Sequence, residues 1–141
     1  LLNKLSILNL SCYGKLIYYP VFFTATIRNW KKLLKPGKYK VVVLNNLKQL
    51  VQDNKIMLYA FCIRSNHIHL IWQVRDDNKP SEIQKQFLER ASKEIKKDLE
   101  LYHPEVLNVF SSTQKDRSYH FWKRRPLSIE LFSPKIFEQN E

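Results

Sequence analysis

The sequence predicts an α+β fold: a ferredoxin-like antiparallel sheet, in the order β-α-β-β-α-β, with its helices on one face. Three features carry that expectation. Residues 57–64 and 67–74 are two apolar runs separated only by Ser65-Asn66, a short reversal that makes them a hairpin even without the usual glycine. A stretch of helical periodicity lies on either side of that hairpin. A further strand-like run precedes the first helix, and another follows the second.

Residues 1–18 form an N-terminal extension with no clear pattern, and the folded domain is expected over 19–141. Residues 21–27, rich in β-branched and aromatic side chains, are the first strand. Lys35-Pro36-Gly37-Lys38 is a turn. Residues 39–53 place Val43, Leu44, Leu47, Leu50 and Val51 at helical spacing. The hairpin follows, then a polar connection over 75–79. Ser81, with Pro80 before it and Gln84 three residues on, predicts a capping box. The helix it opens aligns Ile83, Phe87, Ala91, Ile95 and Leu99 on one face, with Lys85, Arg90, Lys93, Lys96 and Lys97 elsewhere. Pro104 lies beyond its end. Residues 107–118 are expected to be loop and 119–122 the fourth strand. Residues 127–132 are another strand or extended segment, and Pro134 opens a helix-like stretch.

A chain of 141 residues, 44% apolar, is sized for one domain with a real core. With only two glycines it cannot build a Gly-rich phosphate loop. Cys12 and Cys62 are far apart, which argues against a disulfide scaffold or a cysteine zinc site and fits a reducing, cytoplasmic setting. No apolar run is long enough to span a bilayer. Residues 5–10 are apolar but lack a signal-peptide cleavage pattern. The chain starts at Leu1, as a fragment edge or a processed end would.

The net charge is +11, and nine basic residues precede the first acidic one, Asp53. A second basic cluster comprises Lys115, Arg117, Lys123, Arg124 and Arg125. Such a field suits a polyanion. Solubility is the simpler explanation, but Trp30, Tyr39, Tyr119, Phe121 and Trp122 lie among the charges, and aromatic rings beside cations suit nucleic acid.

The sharpest local feature is Asn66-His67-Ile68-His69-Leu70. Residues two apart on a strand share a face, so His67 and His69 project together while Ile68 and Leu70 enter the core. Two such imidazoles can converge on one divalent ion. A His-hydrophobe-His triplet is a weak signal alone, and satisfied surface or core histidines compete with it. His103, beside Pro104, suits a helix end. His120 is a further candidate to approach the ion.

The run from Tyr59 to Trp72, Tyr-Ala-Phe-Cys-Ile-Arg-Ser-Asn-His-Ile-His-Leu-Ile-Trp, resembles the HUH stretch of single-tyrosine, insertion-sequence-200-like transposases, and in particular the REP-associated tyrosine transposases. Phe23-Thr24-Ala25-Thr26-Ile27 with Asn29-Trp30 is similar to their first strand. Lys79-Pro80-Ser81-Glu82-Ile83 with Phe87 is similar to the start of their second helix. Phe121-Trp122-Lys123-Arg124, with Leu127-Ser128-Ile129-Glu130-Leu131 and Ser133, is similar to the stretch before their catalytic helix. The resemblance runs from about Tyr19 to Gln139, in order.

It implies a fold of the HUH nuclease and transposase type, and a DNA strand transferase. In such enzymes a tyrosine hydroxyl attacks a phosphodiester of single-stranded DNA, forming a 5′-phosphotyrosine and freeing a 3′-OH. The cofactor implied is Mg2+ or Mn2+, held by His67 and His69 with one more polar ligand. The partners implied are single-stranded or hairpin DNA, and a second copy of the chain as a homodimer, with no membrane. Arg28, Lys123, Arg124 and Arg125 are the phosphate-binding candidates. Trp122 is either a stacking platform for bases or a core residue. The family's nucleophile lies in a segment like Tyr-Ile-His-x-Asn-Pro, expected beyond Glu141, so no catalytic residue is assigned within the chain. Tyr59, Tyr102 and Tyr119 suit packing or base stacking. The expectation is a C-terminally incomplete domain, from a truncated gene, a frameshift or a cropped chain, that binds DNA without cleaving it. The alternative is a non-catalytic module for single-stranded RNA or DNA, against which the scarcity of glycine counts. A third, weaker alternative is an interaction protein whose charge is incidental.

Overall fold

The computed structural model describes residues 18–75, 78–111 and 119–131. Four antiparallel strands form one sheet in the order β2-β3-β1-β4. They are β1 (Val21–Thr26), β2 (Ile56–Ile63), β3 (His67–Val74) and β4 (Leu127–Glu130). Between β1 and β2 come a single 3-10 turn, Arg28–Trp30, and helix α1 (Gly37–Gln52). Between β3 and β4 come α2 (Pro80–Tyr102) and the short α3 (Pro104–Val109). This is the ferredoxin-like arrangement that the order of elements predicts.

Strict alternation makes the sheet two-faced. In β3, Ile68, Leu70, Trp72 and Val74 are buried, and the four residues between them are only partly covered. β1 buries Phe23 and Ala25 on the same side. Against that face α1 lays Tyr39, Val43, Leu47 and Leu50, and α2 lays Ile83, Phe87, Ala91, Ile95 and Leu99. The five α2 positions are spaced by four and all five are buried. Trp72 joins the layers: its ring stacks on Phe23 at 5.2 Å and meets Phe87 edge-on at 5.7 Å. Such aromatic pairs add about 1 kcal/mol each beyond the area they bury. The two helices are tied by Asp98, which accepts from Tyr39 Oη and pairs with Lys38 Nζ, both at 2.6 Å. The bonds from Lys38 and Tyr39 hold the Asp98 carboxyl below its ordinary pKa, whereas burial and then Asp98 itself raise that of Tyr39.

β2 is an edge strand. A bulge between Leu58 and Ala60 shifts its register and leaves Tyr59 on the open face, where its hydroxyl donates to Gln73 Oε1 at 2.6 Å. A bulge on an edge blunts it as a template for further strands.

Three local expectations are corrected, and the choice left open for Trp122 is decided. The fourth strand is Leu127–Glu130, paired with β1 from Thr24↔Leu127 to Val21↔Glu130, and not residues 119–122. Those touch the sheet only through the bridge Ile27↔Trp122. The reason is steric. Phe121 and Trp122 are adjacent yet both buried, which a strand with one covered face cannot provide. Phe121 packs on Phe110, with ring centroids 5.2 Å apart, while Trp122 packs under α2. The expected loop at 107–118 begins inside α3, which Pro104 starts rather than merely following α2. Ser81 is not an N-cap: Lys79 caps α2, with no side-chain bond, and Pro80 takes the first helical position, where its missing N–H costs nothing. Trp122, 7% exposed, is a core residue whose Nε1 donates to Ser92 Oγ at 2.8 Å and also reaches Leu88 O at 3.3 Å. The extension at 1–17, the loop at 112–118 with Lys115 and Arg117, and the helix-like stretch from Pro134 lie outside the described residues.

Trp122 thus fastens the last segment to α2. Trp122→Ala is expected to lower stability by roughly 3–5 kcal/mol, the usual cost of emptying a large aromatic site. Trp122→Phe is expected to cost less, since it keeps most of the volume and loses only the indole bonds. Urea unfolding followed by circular dichroism checks both.

Candidate metal and DNA site

His67 and His69 lie on the face of β3 opposite Ile68 and Leu70, and their ring centroids are 4.6 Å apart. The sheet fixes each ring through its Nδ1 edge. His69 Nδ1 is 2.8 Å from Thr24 Oγ1, its register partner on β1. Phe22 stacks on the same ring at 5.4 Å. His67 Nδ1 is 2.7 Å from Asn66 Oδ1.

Asn66 also decides the tautomer of His67. Its Nδ2 donates to Trp30 O at 3.4 Å, so the amide oxygen is the atom left facing the imidazole. An amide oxygen only accepts, so His67 must carry its proton on Nδ1 and its lone pair on Nε2. This is the arrangement that metal-ligating histidines adopt, with an outer partner orienting the ring. Burial first, then His69 and Arg64, lower the pKa of His67 and favour the neutral form a ligand needs. Among the described residues no third His, Cys, Asp or Glu joins the pair in a metal-sized cluster. His120 is not its third member: it is buried, and its backbone N–H donates to Phe110 O. His103 lies at the junction of α2 and α3, 3.8 Å from Glu105, in keeping with a helix-end role.

The hairpin turn and the end of β1 are stitched together beside the histidines. Ile27 N donates to Asn66 O and Leu34 N to Ser65 O. The 3-10 turn holds Asn29 and Trp30 at positive φ, 58° and 57°. Asn tolerates that backbone, but for Trp it is a strained conformation costing on the order of 1–3 kcal/mol. Trp30 is nonetheless 61% exposed, with Lys123 Nζ 5.6 Å from its ring centroid.

The basic candidates gather around this corner. Arg28 is half-buried and donates Nη2 to Ser111 O at 3.2 Å, so part of its guanidinium ties two segments together. Lys123, Arg124 and Arg125 are exposed. They stand on a loop forced outward because the chain advances from Trp122 to Leu127 while its partner β1 steps only from Ile27 to Thr24. Arg125, at φ 57°, turns the chain back to the sheet. Across from them Lys85, Lys93 and Lys96 of α2 line an open groove of about 960 Å³. Sequence reasoning missed Asn66 and Thr24 as orienting groups. Their only signal was adjacency to His67 and a register that no motif shows.

Among the described residues no helix is long and apolar enough to cross a membrane. The sequence has no significant match among curated proteins. The structure is similar to that of a REP-associated tyrosine transposase bound to a REP hairpin, with a TM-score of 0.58 and 14% identity. The likeness covers 89% of this chain and 64% of that one, and at such identity it concerns the fold. The sequence itself matches the IS200-like transposases over residues 15–125. That span takes in β1, β2 and β3, both histidines and the basic residues up to Arg125, with β4 just beyond it, and the chain belongs to the IS200-like transposase family.

Proposed function

We propose that the chain is the metal- and DNA-binding part of a single-tyrosine transposase, acting on single-stranded or hairpin DNA. One observation carries this reading: His67 and His69 share the open sheet face with their Nδ1 edges engaged by Asn66 and Thr24, which leaves both Nε2 atoms for a metal. The donor set fits a divalent ion such as Mn2+ or Mg2+, with oxygen ligands from elsewhere or from water completing the shell. When bound there, the ion supplies polarisation of a phosphate oxygen. The chain's own residues do the rest. Asn66 and Thr24 orient the imidazoles. Arg28, Lys123, Arg124 and Arg125 attract and seat the phosphate backbone. Trp122 acts only by holding the basic loop to α2.

The tyrosines whose contacts are defined are engaged away from the histidines. Tyr39 bonds Asp98, Tyr102 lies by Lys38 and Tyr119 by Lys96, all in the helical layer. Tyr59 bonds Gln73, about 13 Å along β3 from His69 at 3.3 Å per residue. We therefore assign the nucleophile of the phosphotyrosine reaction to none of these four.

Three outcomes follow. Titration calorimetry should detect Mn2+ binding that is lost in His67→Ala and His69→Ala, and weakened about 10- to 100-fold in Asn66→Ala, the usual cost of removing an orienting partner. Wild-type binding unaffected by either histidine change overturns the metal assignment. Binding of single-stranded DNA should weaken with salt. Each of Lys123→Ala, Arg124→Ala and Arg125→Ala should reduce the slope of log K against log salt by about 0.7. An affinity indifferent to salt removes the electrostatic reading. Incubated with Mn2+ and labelled hairpin DNA, the chain should give no covalent protein–DNA band on a denaturing gel. A band that vanishes in Tyr59→Phe, Tyr102→Phe or Tyr119→Phe moves the nucleophile to that residue.

A further inference from the structure

We propose that Trp30 is a stacking platform for one unpaired nucleobase, seated next to the histidine pair. The inference rests on the single-stranded DNA reading above and names the residue that recognises the strand as single.

Four observations converge. Trp30 is 61% exposed, whereas Trp72 and Trp122 are 1% and 7% exposed, so one of the three indoles is presented to solvent. Its backbone is held in the left-handed region at φ 57°, a conformation a bulky residue adopts only when its surroundings impose it. The surroundings are visible: Trp30 N donates to Ile27 O at 3.0 Å, and Trp30 O accepts from Asn66 Nδ2 at 3.4 Å. Asn66 is also the residue that orients His67, at 2.7 Å. The backbone carbonyl of Trp30 and the His67 imidazole are therefore held by the two ends of one amide, which ties the turn that carries the indole to the histidine pair. Finally, Lys123 Nζ lies over the ring, 5.6 Å from its centroid, a cation–π contact that places a positive charge on one face of the platform.

Every base offers a π-face, so this contact selects for unstacked bases rather than for a sequence. In a duplex those faces are already occupied. Lys123 beside the ring suits the phosphate of the same or the next nucleotide. Trp30 would thus discriminate single-stranded from double-stranded DNA, while the basic loop responds to charge alone.

The test uses the intact chain and oligo(dT), an abasic strand of equal length and a blunt duplex, with binding followed by anisotropy. Trp30 dominates the solvent-exposed tryptophan emission, so oligo(dT) should quench it and shield it from acrylamide, and the abasic strand should not. Trp30→Ala should weaken oligo(dT) binding about tenfold or more without changing the salt slope, and leave abasic-strand and duplex binding unchanged. Trp30→Phe should recover most of the loss. If oligo(dT) binds while emission and acrylamide access stay as in the free protein, and Trp30→Ala binds as well as wild type, the platform is refuted and the DNA reading stands. If no strand binds at all, both fall. A loss in Trp30→Ala equal on all three probes, or one that Trp30→Phe does not repair, also overturns the proposal, because it reports damage to the turn rather than a lost base contact.

Discussion

The two-residue period of β3 governs this molecule. One set of its side chains, Ile68, Leu70, Trp72 and Val74, is sealed under two helices, and the alternate set begins with His67 and His69. A slip of one residue would put imidazoles in the core and isoleucine on the open face, so hydrophobic burial and placement of the two imidazoles cannot be separated. Trp72 makes the register hard to shift, because it is wedged between Phe23 and Phe87. The chemistry is thus fixed by core packing on the reverse side of the sheet. The neighbouring strand adds the second fixation, since the same register sets Thr24 opposite His69.

That coupling also explains what could be read from the sequence. β3 and α2 were readable because their burial is periodic: alternate residues in the strand, every fourth in the helix from Ile83 to Leu99. The shared face of His67 and His69 was readable for the same reason. Residues 119–122 were not, because Phe121 and Trp122 are buried by tertiary packing on two different partners, and apolar content alone imitates a strand. Leu127–Glu130 alternates apolar and polar side chains and falls within the strand or extended segment expected over 127–132, although all four of its residues are exposed. Ser81 carried a capping signature, but Pro80 before it is itself a helix starter, and the two signals compete for one end. Trp122 and Trp30 show the same limit. Both sit among basic residues, yet one is core and the other exposed, and only the packing of α2 tells them apart.

The sheet also separates two kinds of surface. The helical layer carries the groove edged by Lys85, Lys93 and Lys96, a broad cationic surface. The open face carries the histidines, flanked by the exposed side chains of Met57, Tyr59, Leu127 and Ile129. The cationic groove and the histidine pair therefore lie on different sides of one thin layer, meeting at the corner where β1 ends and the 3-10 turn begins.

The outward loop between Trp122 and Leu127 has a consequence for how such a protein can change. It is excess chain: the ladder with β1 closes before it and resumes after it, so its length and charge are not dictated by the sheet. Loops of this kind absorb insertions and substitutions at little cost. The charges on this loop can therefore change while the buried register, and with it the placement of the histidine pair, stays as it is. This divides the protein into a part free to vary and a part held in place by its packing.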